Sequence, residues 1–336
     1  MDSKIPTIKE IAKRLNVSVS TVSRALHDHP SIGLRTKMQV KALAKELNYE
    51  PNQAAISFKQ GKTSTIGVIT PRLSEEFFAS AISGIEEIAG QHKYNVLIGQ
   101  SFDDMDRERR IVETMRNSRV DGLIISVAKN TDTFEHLVSI PVPVVFFDCL
   151  PDLPDLNSVS CNLSNGTVDA VTFLATRGHR RIALLNGPSQ LQACIQRKSF
   201  YLEGLKKNKL KADPSLIVET DLSKPRTLAA MDFLLALRQR PTAIIAFNDY
   251  VALSAMQYAR SKKIRINKDI VFVSFAHLPL CDYMDNPPLA SVEQFPYEQG
   301  YRAADMLLTM LNGRGDKPRV ASQIVLQSEL IPWKEG

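Results

Sequence analysis

Long apolar runs are missing from this sequence, and so are clustered cysteines. The longest apolar stretch, Ile140 to Phe147, is eight residues, whereas a spanning helix needs about 20. No apolar segment follows Met1-Asp2-Ser3-Lys4, so neither an export signal nor a membrane partner is expected and the chain reads as cytoplasmic. Cys149, Cys161, Cys194 and Cys281 lie far apart, with no Cys-x-x-Cys pair. That spacing argues against structural zinc and against a disulfide framework, leaving free, buried thiols. A Gly-x-Ser-x-Gly elbow, a His-Glu-x-x-His pair and a dinucleotide glycine triplet are also absent. Gly61-Lys62-Thr63 has Ile56 where a phosphate loop needs its first glycine. Asp103-Asp104-x-Asp106 reads as acids gathered at a helix start, where the dipole favours them, rather than as a cation site. These absences leave no expected enzyme activity, catalytic residue, metal or cofactor.

What is present is a lopsided distribution of charge. Residues 1–62 carry eleven Lys and Arg against five acids, a surplus equal to the net charge of the whole 336-residue chain. The remaining 274 residues balance at thirty-one of each sign. A small basic module joined to a neutral body points to a polyanionic partner, because cations near phosphates release condensed counterions.

The module reads as three short helices. Thr7-Ile8-Lys9-Glu10 has the form of a capping box, and Ile8, Ile11, Ala12 and Leu15 share one helical face. Asn16 suits a left-handed helix end, and Ser18 is placed to cap a second helix from Val19 to Leu26. About three residues separate these helices, which forces a sharp crossing. Val40, Leu43, Ala44 and Leu47, closed by Asn48, signal the third. The second helix keeps Val19, Ser20, Thr21, Ser23 and Arg24 on a small polar outer face. Hydroxyls there can hold phosphates, and an arginine fork matches guanine O6 and N7.

Thr7-Ile8-Lys9-Glu10-Ile11-Ala12, Val17-Ser18-Val19-Ser20-Thr21-Val22-Ser23-Arg24-Ala25-Leu26 and Leu47-Asn48-Tyr49-Glu50-Pro51-Asn52 resemble the headpiece of the LacI/GalR family of bacterial transcription regulators. The resemblance implies base reading in the major groove by Val19, Ser20 and Arg24, and phosphate contacts from Thr7, Ser18, Thr21, Ser23 and Thr36. Leu15, Asn16 and Gly33 depart from the family's usual small residue, glycine and serine, which bears on loop geometry and not on the reading helix.

After Pro51, Asn52 can cap a helix of about two turns with Ala54, Ala55 and Phe58 on one side. So short a helix is marginal until it packs on a partner copy or on DNA. The resemblance implies a hinge helix that pairs across a homodimer in the minor groove, with Ala55 and Phe58 as its contacts and Phe58 at the position of a wedging leucine. Apolar wedges of this kind kink duplexes. The alternative for Phe58 is a linker aromatic resting on its own body.

From Thr65 onward, apolar runs alternate with amphipathic stretches such as Phe77–Gln91 and Tyr250–Lys262. The runs are Ile66–Thr70, Asn95–Gly99, Gly122–Ser126, Val142–Phe147, Arg181–Leu185, Ala243–Phe247 and Val271–Phe275. Such alternation predicts parallel sheets covered on both faces, and about 270 residues suits two lobes. Ligands of open α/β sheets bind beyond the strands' carboxyl ends. Thr65-Ile66-Gly67-Val68-Ile69, Val120-Asp121-Gly122-Leu123-Ile124, Gly178-His179-Arg180-Arg181-Ile182-Ala183 and Phe247-Asn248-Asp249 resemble the family's effector domain, which is similar to periplasmic sugar-binding proteins. The resemblance implies an aromatic floor from Phe77 and Phe78, polar contacts from Asp148, Arg197, Asn248 and Asp249, and a place for Ala276 and His277 beside them. Two other readings stand: Asn248-Asp249 as a helix cap, and Arg197 as an ion-pair residue on a solvated face. Gly178-His179-Arg180-Arg181 reads as a helix-ending turn. Ser274-Phe275-Ala276-His277 replaces the family's Gly-Phe-Asp-Asp, and Ala276 cannot accept hydrogen bonds from sugar hydroxyls. Phe200 replaces a small residue and Cys161 stands where an acid is common, so a more apolar effector, or loss of effector control, is expected.

The expected architecture is thus an all-α helix-turn-helix headpiece (residues 1–51), a hinge helix and linker (52–63), and an α/β periplasmic-binding-protein-like body of two parallel-sheet lobes around a cleft (64–336). Its expected partners are a palindromic double-stranded DNA operator, a second copy of the chain and a small-molecule effector, a sugar or related metabolite. A periplasmic-type receptor without DNA function is the alternative from another class.

Overall fold

The computed structural model describes residues 6–49, 62–128, 133–189, 191–313 and 321–333. The chain divides into two units, Met1–Thr63 and Ser64–Gly336. In the first, helices α1 (Ile8–Arg14), α2 (Val19–Leu26) and α3 (Leu34–Glu46) close over Ile11, Ala12, Val22, Ala25, Val40 and Ala44. All three end the same way. Asn16, Asp28 and Asn48 take left-handed backbone angles, and the amides of Val17, His29 and Tyr49 reach back to Ala12, Arg24 and Ala44. A short polar residue is the usual alternative to glycine at such an end, because its Cβ penalty is small there. The capping box, in contrast, does not form. The Thr7 side chain makes no cap hydrogen bond, and Glu10 pairs instead with Arg14, one turn on, at 2.8 Å.

The second unit holds two six-stranded sheets. Sheet one has the order β11-β5-β4-β3-β1-β2 and is parallel throughout. Its strands are β1 (Thr65–Thr70), β2 (Asn95–Gln100), β3 (Gly122–Ile125), β4 (Val144–Phe147), β5 (Ser158–Asn162) and β11 (Gln323–Gln327). Helices α4 (Glu76–Gln91) and α11 (Pro296–Asn312) cover one face, and α5 (Met105–Asn117) with α6 (Glu135–Val138) the other. Sheet two runs β12-β10-β9-β8-β6-β7, parallel except for the β10–β12 pair. It comprises β6 (Ile182–Asn186), β7 (Ile217–Glu219), β8 (Ala243–Ala246), β9 (Val271–Phe275), β10 (Ala290–Glu293) and β12 (Glu329–Pro332). Helices α7 (Ser164–Thr176) and α8 (Gln192–Lys207) lie on one face, α9 (Lys224–Ala236) and α10 (Asp249–Ser261) on the other.

The seven apolar runs all became strands, and the central ones are buried by helices on both faces, as parallel sheets require, whereas β2 is a partly exposed edge strand. The further strands carry weak signals: β5 is Ser-Val-Ser-Cys-Asn, β7 has three residues, and β11 is an edge strand with alternating exposure. The chain crosses between lobes after β5, after β10 and after β11. Asn162 and Ser328 tie two of these crossings, since the Ser328 amide and hydroxyl both donate to the Asn162 carbonyl at 3.1 and 2.9 Å. At the third, Glu293 Oε1 accepts from the amides of Gln294 and Phe295, and Phe295 is left-handed. Gly178 (φ 89°) ends α7 in the expected turn. Asp104 caps α5 by accepting from the Arg107 amide at 2.7 Å, as acids at a helix start should. All four cysteines are free thiols, with Cys194 and Cys281 buried but Cys149 and Cys161 only half-buried. Among the described residues, no helix is long and apolar enough to cross a membrane.

Candidate functional site

The headpiece presents α2 as a two-faced rod. Val22 and Ala25 are fully buried, while Val19, Ser20 and Arg24 stand in solvent on the opposite side and Thr21 and Ser23 are half-buried between. Ser18 caps the helix by accepting from the Thr21 amide at 3.0 Å, and its hydroxyl also meets those of Ser20 (2.7 Å) and Thr21 (2.9 Å). Hydroxyls and unpaired first-turn amides therefore gather at one helix N-terminus, where the backbone favours a negative charge. The exposed hydroxyl of Thr7 opens α1, and Thr36 sits half-buried in the first turn of α3. Ala55 and Phe58 lie outside the described residues.

In the body, the strands' carboxyl ends surround a cavity of about 400 Å³. Its lining draws on both lobes: Glu76, Phe77 and Ser80 from α4, Ala276 to Pro279 from the loop after β9, and Glu293 with Phe295 to Glu298 at the β10–α11 crossing. That volume is of the size that small-molecule sites occupy. Phe77 and Phe78, adjacent in sequence, part company. Phe77 lines the cavity, whereas Phe78 is 4% exposed and turns edge-on to Phe147 in the core, so it supports the floor without forming it.

Arg197 is not on a solvated face. It is 4% exposed, with its guanidinium between the rings of Phe247 (4.1 Å) and Phe275 (4.5 Å). One amino group donates to the Ala193 carbonyl, and the buried Nε has no partner. Burial draws its pKa down to about 10, against the opposing pull of Cys194, Asp148 and Cys161, so it stays a cation. Aromatic faces attract a guanidinium and hold its plane fixed. Asp148 is exposed and left-handed just past β4. The Cys161 thiol, pushed up to about 12 by burial and then by Asp148 and Glu293, remains protonated.

Asn248 and Asp249 are turned to structural ends. Asn248 caps α10, its side chain accepting from the Val251 amide at 2.9 Å. Asp249 is fully buried and accepts from the hydroxyls of Ser274 and Ser291 and from the Leu278 amide at 2.7 Å. The oxygens of Asp249 thus face inward and brace the loop after β9. Burial raises its pKa, against the lowering effect of those three hydrogen bonds. The same loop carries consecutive left-handed residues, Ala276 (φ 95°) and His277 (φ 50°). The Ala276 amide donates to the Val292 carbonyl and the His277 amide to the Ser291 hydroxyl. The His277 ring stacks on Trp333 at 4.1 Å, and burial lowers its pKa.

Comparison with known proteins places this pair of units. Residues 7–52 match the model of bacterial regulatory proteins of the lacI family, and residues 63–328 that of periplasmic binding proteins and the sugar-binding domain of the LacI family. The chain belongs to the LacI family. It is 30% identical over 310 residues to the transcriptional repressor CytR of Escherichia coli K12, covering 92% of this chain and 90% of that protein. It is 31% identical to catabolite control protein A of Priestia megaterium, covering 98% of both. Its fold matches the lac repressor dimer bound to operator and the anti-inducer ONPF at a TM-score of 0.84, with 26% identity and 98% of each chain covered. The protein is thus a transcription regulator that joins a DNA-binding helix-turn-helix to a ligand-binding domain. The relatives are regulators rather than enzymes.

Within this LacI-family cleft, sequence reasoning passed over Phe247, Phe275, Glu293, Phe295 and Trp333. Phe247 and Phe275 were visible as the last residues of apolar runs and as members of the family motifs, but nothing local shows which side chain they flank. Trp333 meets His277 across 56 positions of chain, a contact that no spacing announces.

Proposed function

We propose that the protein is a homodimeric repressor that reads a near-palindromic operator in the cytoplasm, with each α2 in a major groove, and responds to a small molecule bound between its lobes. The observation that carries the DNA reading is the separation of α2 into a buried Val22–Ala25 side and a solvent side bearing Ser20, Arg24 and the hydroxyl-capped N-terminus. In this reading Val19, Ser20 and Arg24 meet base edges, while Ser18, Thr21, Ser23, Thr7 and Thr36 hold phosphates. Ala55 and Phe58 enter the minor groove from the paired hinges and bend the duplex.

Neither Arg197 nor Asp148 lines this cavity, but Arg197, already oriented by Phe247 and Phe275 with Asp148 nearby, supplies donors to a ligand that reaches past the lining. Phe77, Leu278, Pro279, Phe295 and Pro296 give the cavity a large apolar wall, and Ala276 offers no carboxylate. These features favour a ligand with fewer vicinal hydroxyls than a simple sugar and a flat or apolar body. Ligand binding shifts the balance of lobe angles, and with it hinge pairing, as linkage requires. Selection of duplexes from random DNA, repeated with candidate sugars and nucleosides found by thermal shift, tests both parts. Recovery of a palindrome whose affinity changes with a ligand is the expected result. Absence of any enriched sequence refutes the DNA reading, and a ligand that never alters operator affinity refutes the coupling.

A further inference from the structure

The body's neutral total conceals a strongly cationic pole. In sheet two, β9, β8, β6 and β7 are parallel neighbours, so the loops that enter them lie side by side at the end opposite the cleft. Those loops, residues 177–181, 206–213, 238–242 and 260–270, hold fourteen Lys and Arg and only two acids. Both acids are already engaged, Asp213 with Arg181 at 3.0 Å and Asp269 with Arg265 at 2.6 Å. The loops are tied into one surface. Arg181 Nε donates to the Gln239 carbonyl, His179 bonds to the Thr242 hydroxyl, and Thr242 pairs through its backbone with Arg181 and Val271. Lys207, Lys209, Arg238, Arg240 and Lys263 are all exposed there and form no ion pair among the described residues.

We propose that this pole is a second polyanion site, one that holds the phosphate backbone of a DNA duplex other than the operator. Concentrated exposed cations are what counterion release rewards, without any need for base contacts. A protein partner would look for an apolar or aromatic centre within a polar rim. None of the large exposed apolar side chains falls in these four loops. The spread of cations over several loops, rather than one helix N-terminus, suits a backbone that runs across the surface. A regulator held at its operator by the headpieces thereby bridges to a passing segment of duplex.

A two-duplex capture assay on the full-length protein tests this. Protein is loaded on bead-tethered operator, washed, and offered a fluorescent non-operator duplex at low salt. Retention by the parent, falling steeply with salt, is expected. A variant with Lys207→Ser, Arg238→Ser, Arg240→Ser and Lys263→Ser should stay on the operator while losing at least tenfold of the retained duplex. Its salt slope should fall by about 0.9 for each phosphate contact removed. No retention by the parent, or equal retention and slope in the variant, overturns the proposal. Capture of polyglutamate without capture of duplex also overturns it, since the pole then serves an acidic polypeptide.

Discussion

Replacing Asp249 separates a bracing role from a ligand role. Its carboxylate accepts from Ser274, Ser291 and the Leu278 amide within a fully buried site. In Asp249→Ala the two hydroxyls can turn toward each other, since they already lie 3.4 Å apart. The Leu278 amide, in a residue 3% exposed, has no such recourse. Stranding a buried N–H costs about 1–3 kcal/mol, and the lost charge-assisted bonds bring the total to about 3–5 kcal/mol. For a body of this size each kcal/mol moves the midpoint by about 2 °C, so a fall of about 6–10 °C in Tm is expected by circular dichroism. Asp249→Asn is a sharper control. Turned so that its oxygen meets the Leu278 amide, its NH2 can donate to both serine oxygens, and it should melt within about 1 kcal/mol of the parent. The reasoning is refuted if alanine melts with the parent, or if asparagine is as unstable as alanine. A normally stable asparagine variant that has lost its ligand response would instead return Asp249 to the ligand.

Three further outcomes are expected. Arg24→Ala should cost about 1–3 kcal/mol at one base position in a competition assay and relax preference there, whereas uniform weakening across sequences would make Arg24 a phosphate contact. Trp333 is the sole tryptophan and stacks on His277, so its fluorescence should titrate with the imidazole. Burial puts that folded pKa below 6.5, so the stability linked to neutral His277 is complete above pH 6.5 and declines as pH falls through the lower folded value. His277→Phe should remove the fluorescence transition, and a transition at or above pH 6.5 contradicts burial as its cause. Gly300→Ala should destabilise by about 3 kcal/mol in denaturant melts, because the new methyl would lie 1.9 Å from the Ala81 carbonyl oxygen on α4. Parent-like stability would show that α4 and α11 can separate freely.

The headpiece was largely legible in the chain itself, because short helices are governed by local rules. Ser18 caps and Asn16 and Asn48 terminate as their types dictate, within a few residues of their hydrogen-bond partners. Thr7 and Glu10 show the limit of even local pattern, since Glu10 had a second suitor in Arg14 on the same helical face. The apolar runs that became central strands were equally plain, for burial on both faces leaves no room for alternation.

Only the folded body decided what Asp249, Phe78 and Arg197 do. An acid after an apolar run reads the same whether it faces a cleft or a pair of serines, and those serines come from β9 and β10, 25 and 42 residues away. Adjacent phenylalanines on a helix point about 100° apart, so one had to face inward, but which one depended on where α4 meets Phe147. The charge balance of the body gave no warning of its cationic pole either, because net charge adds over residues while a surface potential depends on where the strands bring them together.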